Sequence, residues 1–375
     1  MRAAALALVR RARTDVRWVR ALARRSGLSV PMMRWAIETT VAADAAADLE
    51  GFALRASAAI ARHGGEPLPA ILLVLAGNVP TAVWRAIVRP LLAGTGLLVR
   101  PSRWDAGLAR WTVRALCHAE PRLAASLRLA PTPARVPHAA VVRLATRIGA
   151  LAAYGSDSTL DALRARLPRG VCAHLHGHGM GAVLVQPGVA FDVERAARAI
   201  ALDVAAYDQR GCLSPAFVIA GRHRGRSLAV AVAAALERIG SMLPRGPVPS
   251  PVAASLARYR DVACATGEVF CGRDHIVAYE PDAPLRATPG WRAVQVVEAR
   301  NADDAFERLL GLGKTLKCVG VVGDLPRARR ALPGVYCVPA GRMQTPPLDA
   351  PQDGAPPWID AVPVALGAAG HASSP

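Results

Sequence analysis

One cysteine of the seven stands apart. Cys212 lies in Tyr207-Asp208-Gln209-Arg210-Gly211-Cys212-Leu213-Ser214-Pro215, between a helix-like apolar run over 193–206 and a strand-like run over 216–220. That places it on a connecting loop, where a rigid scaffold usually carries its reactive groups. A thiol attacks as the thiolate, and a neighbouring cation such as Arg210, with backbone N–H groups, favours that form. Gly211 lets the backbone take an angle other residues resist. Cys117, Cys172, Cys264, Cys271, Cys318 and Cys337 sit mostly among Val, Ala, Leu or Phe and read as small core hydrophobes. From its residues alone Cys212 is either a nucleophile or one more buried structural thiol.

The elements that must position this loop alternate between two periods. The continuous apolar run over 71–76 suits a buried parallel strand. Gly77-Asn78-Val79-Pro80 turns it into a helix over 81–93, and Gly94-Thr95-Gly96 leads to a strand over 97–100, stopped by Pro101-Ser102. A helix over 105–120 follows, with strands over 139–144 and 151–154. Gly155-Ser156-Asp157 then opens a helix to 167, with Ser156 or Asp157 as its cap. Strands over 171–174 and 182–185 precede the helix that delivers Cys212. Beyond the loop come a helix over 227–238, a Pro-rich link over 244–251, strands over 275–279 and 294–297, a helix over 302–311 and a strand over 318–322. Alternating β and α elements with buried strands imply a doubly wound, mainly parallel sheet. Residues 1–66 read as helical throughout.

Composition narrows the class. The 375 residues are 52% hydrophobic, enough for two domains, or one large α/β unit, with an ample core. The net charge of +18 is almost wholly arginine, the only lysines being Lys314 and Lys317. These arginines are scattered without a dense block or interleaved aromatics, which argues against a nucleic-acid protein and for a basic surface that attracts anionic ligands. Seven cysteines without a C-x-x-C pair argue for a reducing compartment. No run reaches the roughly eighteen apolar residues that span a bilayer. A cytoplasmic protein without a membrane span is expected.

Several motifs together carry a resemblance: Leu75-Ala76-Gly77-Asn78-Val79-Pro80, Leu91-Leu92-Ala93-Gly94 with Leu98-Val99-Arg100-Pro101-Ser102, Tyr154-Gly155-Ser156, the Gln209 to Pro215 loop, and Gly341-Arg342-Met343-Gln344 with Asp353-Gly354. In this order, over about 68–354, the chain resembles the acyl-CoA reductase family, which includes the fatty acid reductase subunit of bacterial luminescence systems and belongs to the aldehyde dehydrogenase superfamily. The resemblance implies an aldehyde dehydrogenase-like α/β fold: an N-terminal helical region over 1–66, a Rossmann-type NAD(P)-binding domain over 67–206, a catalytic domain over 207–340 and a C-terminal extension over 341–375 packing back on the cofactor domain.

It also implies roles. Cys212 would be the nucleophile, and Asn78 would donate its side-chain amide to the oxyanion together with the Cys212 N–H; a plain turn asparagine is the other reading. Arg100 stands where the superfamily usually has a lysine facing the adenosine ribose. An always-charged, bidentate phosphate binder there leans toward NADPH over NADH, with Ser102 or Arg103 helping, although a solvated strand-end arginine fits too. Gly155 and Ser156 match a Gly-Ser pair whose N–H groups can face the pyrophosphate, or form a simple helix cap.

The largest departure is in His174-Leu175-His176-Gly177-His178-Gly179-Met180-Gly181, where hydrolytic relatives carry a water-activating Glu and this chain has none. His178 stands about where that Glu would fall and can serve as acid or base. A structural histidine, or a metal held by three histidines alternating on one strand face, are the other readings; no fourth ligand is evident, so no metal is assigned. The implied activity is NADPH-dependent reduction of an acyl-CoA, fatty acyl above all, to the aldehyde through an acyl-cysteine thioester. A reductase of an acyl phosphate or small acyl-CoA, or a non-catalytic aldehyde dehydrogenase-like acyl-binding protein, are the alternatives. The implied partners are an acyl-CoA or acyl-protein thioester, a second copy of the chain, or an acyl-activating enzyme.

Overall fold

Five short, mostly apolar stretches pair side by side in parallel. In the computed structural model, which describes residues 1–62, 65–102, 105, 107–130 and 137–363, these are β1 (Ala70–Val74), β2 (Gly96–Arg100), β3 (Leu127–Leu129), β4 (Ala150–Tyr154) and β5 (Cys172–His176). Their order is β3-β2-β1-β4-β5, with Leu73 opposite both Val99 and Ala152. Ile71, Leu72 and Leu73 are fully buried, as a strand covered on both faces requires. The order reverses between β1 and β4. The carboxyl ends of these two strands therefore flank the switch point where ligands bind in open α/β sheets.

A second sheet takes β6 (Met180–Val185), β7 (Pro215–Gly221), β8 (Glu268–Cys271), β9 (Ile276–Tyr279), β10 (Ala293–Ala299), β11 (Leu316–Val322) and β12 (Tyr336–Pro339) in the order β12-β11-β6-β7-β10-β9-β8. All its pairings are parallel except the β8/β9 pair. Phe217, Ile219, Val297, Phe306, Val319 and Leu309 form its core on one face.

The chain divides into two units, one of residues 1–26, 33–178 and 347–375, the other of 27–32 and 179–346. Residues 179–206, placed by sequence with the cofactor domain, cluster with the second sheet because β6 is hydrogen-bonded between β7 and β11. The N-terminal helices join the first unit instead of standing alone. Within that unit the returning segment packs Leu348, Ile359, Ala361 and Val362 on Phe52, Ile60 and Ala93. Buried Arg89 secures it, donating to the carbonyls of Leu348 at 2.9 Å and Ala350 at 3.2 Å. Residues 364–375 of the extension, and Arg103, lie outside the described residues.

One element differs in type from the sequence reading. Residues 139–144 form part of a helix, His138–Ile148, not a strand. Its apolar run is short, but Val141 and Ala145 are buried four residues apart, the spacing of one helix face. A parallel β3-to-β4 connection also needs a crossover helix.

Candidate active site

The loop carrying Cys212 follows a distorted helical turn, Ala206–Gln209, in which Tyr207, Asp208 and Gln209 have φ of 54°, 53° and 58°. Three consecutive non-glycine residues in the left-handed region cost on the order of 1–3 kcal/mol each, and such strain persists only where the surroundings over-determine it. Here they do. Asp208, fully buried, accepts from Arg292 Nη2 at 2.8 Å and from the Gly246 N–H at 3.0 Å. Gln209 Nε2 donates to the carbonyls of Pro215 and Ala293, both at 2.7 Å.

The loop itself closes with Ser214 N–H donating to Gly211 O at 3.0 Å, and Cys212 stands exposed on it. Arg210 turns its Nε to the Tyr207 carbonyl and lies 5.3 Å above the Trp291 ring. Beneath the loop, Gly181 is required: a β-carbon there would run into the Leu213 carbonyl and the Met343 side chain. Asp203 receives the N–H groups of Gly341 and Met343, and its burial pushes its pKa up to about 7 despite those bonds. The Gly341-Arg342-Met343-Gln344 motif is thus explained by packing within the unit that carries the Cys212 loop.

Of the other thiols, Cys318 and Cys337 are buried, and burial pushes Cys337 up to about 11. Cys264 and Cys271 are exposed, which corrects their reading as core hydrophobes. Each lies near the end of its element, at a turn of helix or an edge strand that the sheet does not cover.

In the first unit, the sequence-derived residues gather at the carboxyl ends of neighbouring strands. Asn78 follows β1 and is exposed; Arg100 ends β2, with Ser102 two residues on; Gly155 and Ser156 follow β4. Arg100 Nε is buried with no hydrogen-bond partner among the described residues, and burial lowers the guanidinium pKa. A buried, unsatisfied cationic donor at such a strand end fits an anionic group of a dinucleotide. Ser156 Oγ caps the helix Asp157–Arg164, accepting from Thr159 N–H at 3.4 Å, and Gly155 N–H donates to His176 O at 3.2 Å. The Gly155 donor is therefore engaged within the protein, and what this turn offers a ligand is close backbone approach.

The three histidines separate. His174 is buried, its Nε2 2.8 Å from Val362 O, and burial lowers its pKa. His176 is held between Asp353 and Asp360, Nδ1 and Nε2 each 2.7 Å from a carboxylate, and stacks on Tyr154 with centroids 4.5 Å apart. The Tyr154 hydroxyl donates to Asp360 at 2.6 Å. His178 lies beyond β5, exposed, with Nδ1 3.2 Å from Asp157 Oδ2. Among the described residues no group of three or more His, Cys, Asp or Glu is arranged for a metal ion. The environment of His176 was not legible in sequence, because Asp353 and Asp360 lie 177 and 184 residues away.

Burial alone would pull the His176 pKa down, but the two carboxylates override it and push it up to about 10. The folded state therefore holds the imidazolium, whose stabilisation is complete below about pH 6.5, the unfolded value, and drains away as pH rises toward 10. His176→Gln is expected to be less stable than wild type at pH 6 and to lose less stability between pH 7 and 10, as read by urea unfolding. Parallel losses in both proteins would remove His176 as the titrating group.

A cleft of about 730 Å³ runs beside β5, lined by Arg164, Arg169, His174, His176 and Asp353 among others; Asn78, Arg100, Ser102 and His178 do not line it. No helix among the described residues is long and apolar enough to cross a membrane.

Residues 61–361 match the family model described as acyl-CoA reductase (LuxC). No curated protein matches the chain. Among solved structures, an oxidoreductase from Marinobacter aquaeolei superposes with a TM-score of 0.72 at 13% identity, over 96% of this chain and 84% of its own. Aldehyde dehydrogenase 21 from Physcomitrella patens, solved with succinate, gives 0.69 at 14% identity over 96% and 85%. An NADP-dependent glyceraldehyde-3-phosphate dehydrogenase from Bacillus halodurans, complexed with NADP, gives 0.65 at 14% over 90% and 76%. The fold is that of the aldehyde dehydrogenases.

Proposed function

Because the chain belongs to the acyl-CoA reductase (LuxC) family, we propose that it reduces a fatty acyl-CoA to the aldehyde with NADPH, through an acyl thioester on Cys212. The observation that carries this reading is an exposed thiol on a loop held by buried hydrogen bonds, inside an aldehyde dehydrogenase fold.

The Cys212 thiolate forms a bond to the thioester carbon while the carbonyl electrons move onto oxygen. The Cys212 N–H and the Asn78 side-chain amide supply the donors for that oxyanion. Collapse expels CoA as its thiolate and leaves the acyl group on sulfur. Arg100, Ser102 and the Gly155-Ser156 turn would hold a nicotinamide cofactor, which would supply the hydride that reduces this thioester. The resulting thiohemiacetal breaks its C–S bond, returning the electron pair to Cys212 and releasing the aldehyde. His178 serves as the proton-transfer group: Asp157 holds its Nδ1, leaving Nε2 as the working nitrogen. The 174–181 segment has no glutamate, so the carboxylate that activates water in the hydrolytic relatives has no counterpart there.

Arg100 is assigned to the 2′-phosphate. Arg100→Ala is then expected to raise KM for NADPH by about tenfold to a hundredfold, the equivalent of ~1.5–3 kcal/mol for a charged hydrogen bond, while KM for NADH changes little. Initial rates with each cofactor read this directly. An equal loss with both cofactors would make Arg100 a strand-end structural residue.

A further inference from the structure

Two backbone segments of the second unit share an unusual feature and face each other. Tyr207, Asp208 and Gln209 are left-handed, and so are Gly290, Trp291 and Arg292, with φ of 72°, 56° and 68°. They are joined rung by rung: Asp208 to Arg292, Gln209 to the Ala293 carbonyl, and Arg210 over Trp291. Gly290 allows the close approach, since a β-carbon there would sit 3.2 Å from Gln209 O.

We propose that Gln209 is the positioning residue of the nucleophile loop, its side-chain amide tying both ends of that loop to the start of the β7/β10 ladder. This inference rests on Cys212 being the nucleophile. The amide spends both hydrogens within the protein, one on Pro215 O and one on Ala293 O. Pro215 lies three residues after Cys212 and Gln209 three before, so one bond closes the segment around the thiol. The other pins it to β10, whose pairing with β7 begins at Phe217 and Gln295, two residues further along each strand. Gln209 is buried, and with both donors engaged it cannot serve the oxyanion itself. Buried Asp208 and Arg292 anchor the adjoining rung, Arg292 Nη2 also donating to Leu243 O at 2.7 Å. Gln209 thus acts on the reaction only through where it places Cys212.

A merely structural role and a positioning role diverge for Gln209→Asn. Asparagine accepts left-handed backbone more readily than glutamine, so backbone strain falls, but its amide is one methylene too short to reach both carbonyls. Thermal unfolding of the variant is expected to fall only modestly below wild type, the relief of backbone strain offsetting part of the lost buried hydrogen bonding. Its Cys212 is nevertheless expected to react differently. The rate of alkylation by iodoacetamide as a function of pH should shift its profile, and single-turnover acylation by palmitoyl-CoA should slow by about 10²-fold, the usual consequence of displacing a reacting group by about 1 Å. Gln209→Met, of similar length but without donors, is expected to lose as much and carries the same test should Gln209→Asn not fold. A folded variant with wild-type alkylation and acylation would overturn the assignment. Alkylation needs neither acyl-CoA nor cofactor. If palmitoyl-CoA fails to acylate even the wild type, the acyl-CoA reading fails, and the alkylation profile alone decides on Gln209.

Discussion

Cys212→Ala is expected to lower acyl-CoA reduction by on the order of 10⁴-fold or more while leaving the fold intact. Removing a nucleophile removes the covalent route itself, and what survives is only the contribution of binding and the oxyanion donors. The side chain is exposed on its loop, and surface substitutions away from buried networks usually move stability by no more than about 0.5 kcal/mol. Hydrogen bonds of Asp208, Gln209 and Ser214 hold the loop, and none of these three uses the thiol. Steady-state reduction and urea unfolding of the same preparation check both halves. Normal turnover in a folded Cys212→Ala protein would remove the covalent mechanism.

Asn78→Ala is expected to lower kcat by about 10²- to 10³-fold, roughly 2.7–4 kcal/mol, with KM for acyl-CoA nearly unchanged, because an oxyanion donor acts on charge that develops only in the transition state. Asn78→Asp should be impaired at least as much, since a carboxylate opposes the developing oxyanion. If Asn78 merely shaped the turn between β1 and the helix Ala82–Leu92, the loss would appear in unfolding experiments and not in kcat. An unchanged kcat with lowered stability would assign it to that turn.

What sequence made legible was whatever local pattern determines. The apolar run of β1, the turn into the next helix, the cap at Ser156 and the loop position of Cys212 each follow from residues within a few positions of one another. The helix His138–Ile148 was misread because a short apolar run is common to buried strands and helices. The helix Ser250–Thr266 was missed behind a proline-rich link, although Pro251 at its first turn was a usable start signal. Other features carry no local signature. The Asp44–Arg85 pair, both contacts 2.8 Å, spans 41 residues, and the Asp208–Arg292 pair spans 84. Nor do the left-handed residues at 207–209 announce themselves, since none is glycine; tertiary bonds impose their conformation. The histidine strip looked uniform in sequence, yet one ring is buried against a carbonyl, one sits between two carboxylates and one stands exposed.

Mass spectrometry of the wild-type protein incubated with palmitoyl-CoA in the absence of NADPH tests the covalent mechanism most directly. The expected result is one palmitoyl group per chain on the peptide containing Cys212, with release of one equivalent of CoA, and discharge of the adduct to aldehyde when NADPH is added. Cys264 and Cys271, the other exposed thiols, should remain unmodified. Reduction that proceeds with no adduct on Cys212, or with the acyl group on Cys264 or Cys271, would contradict it.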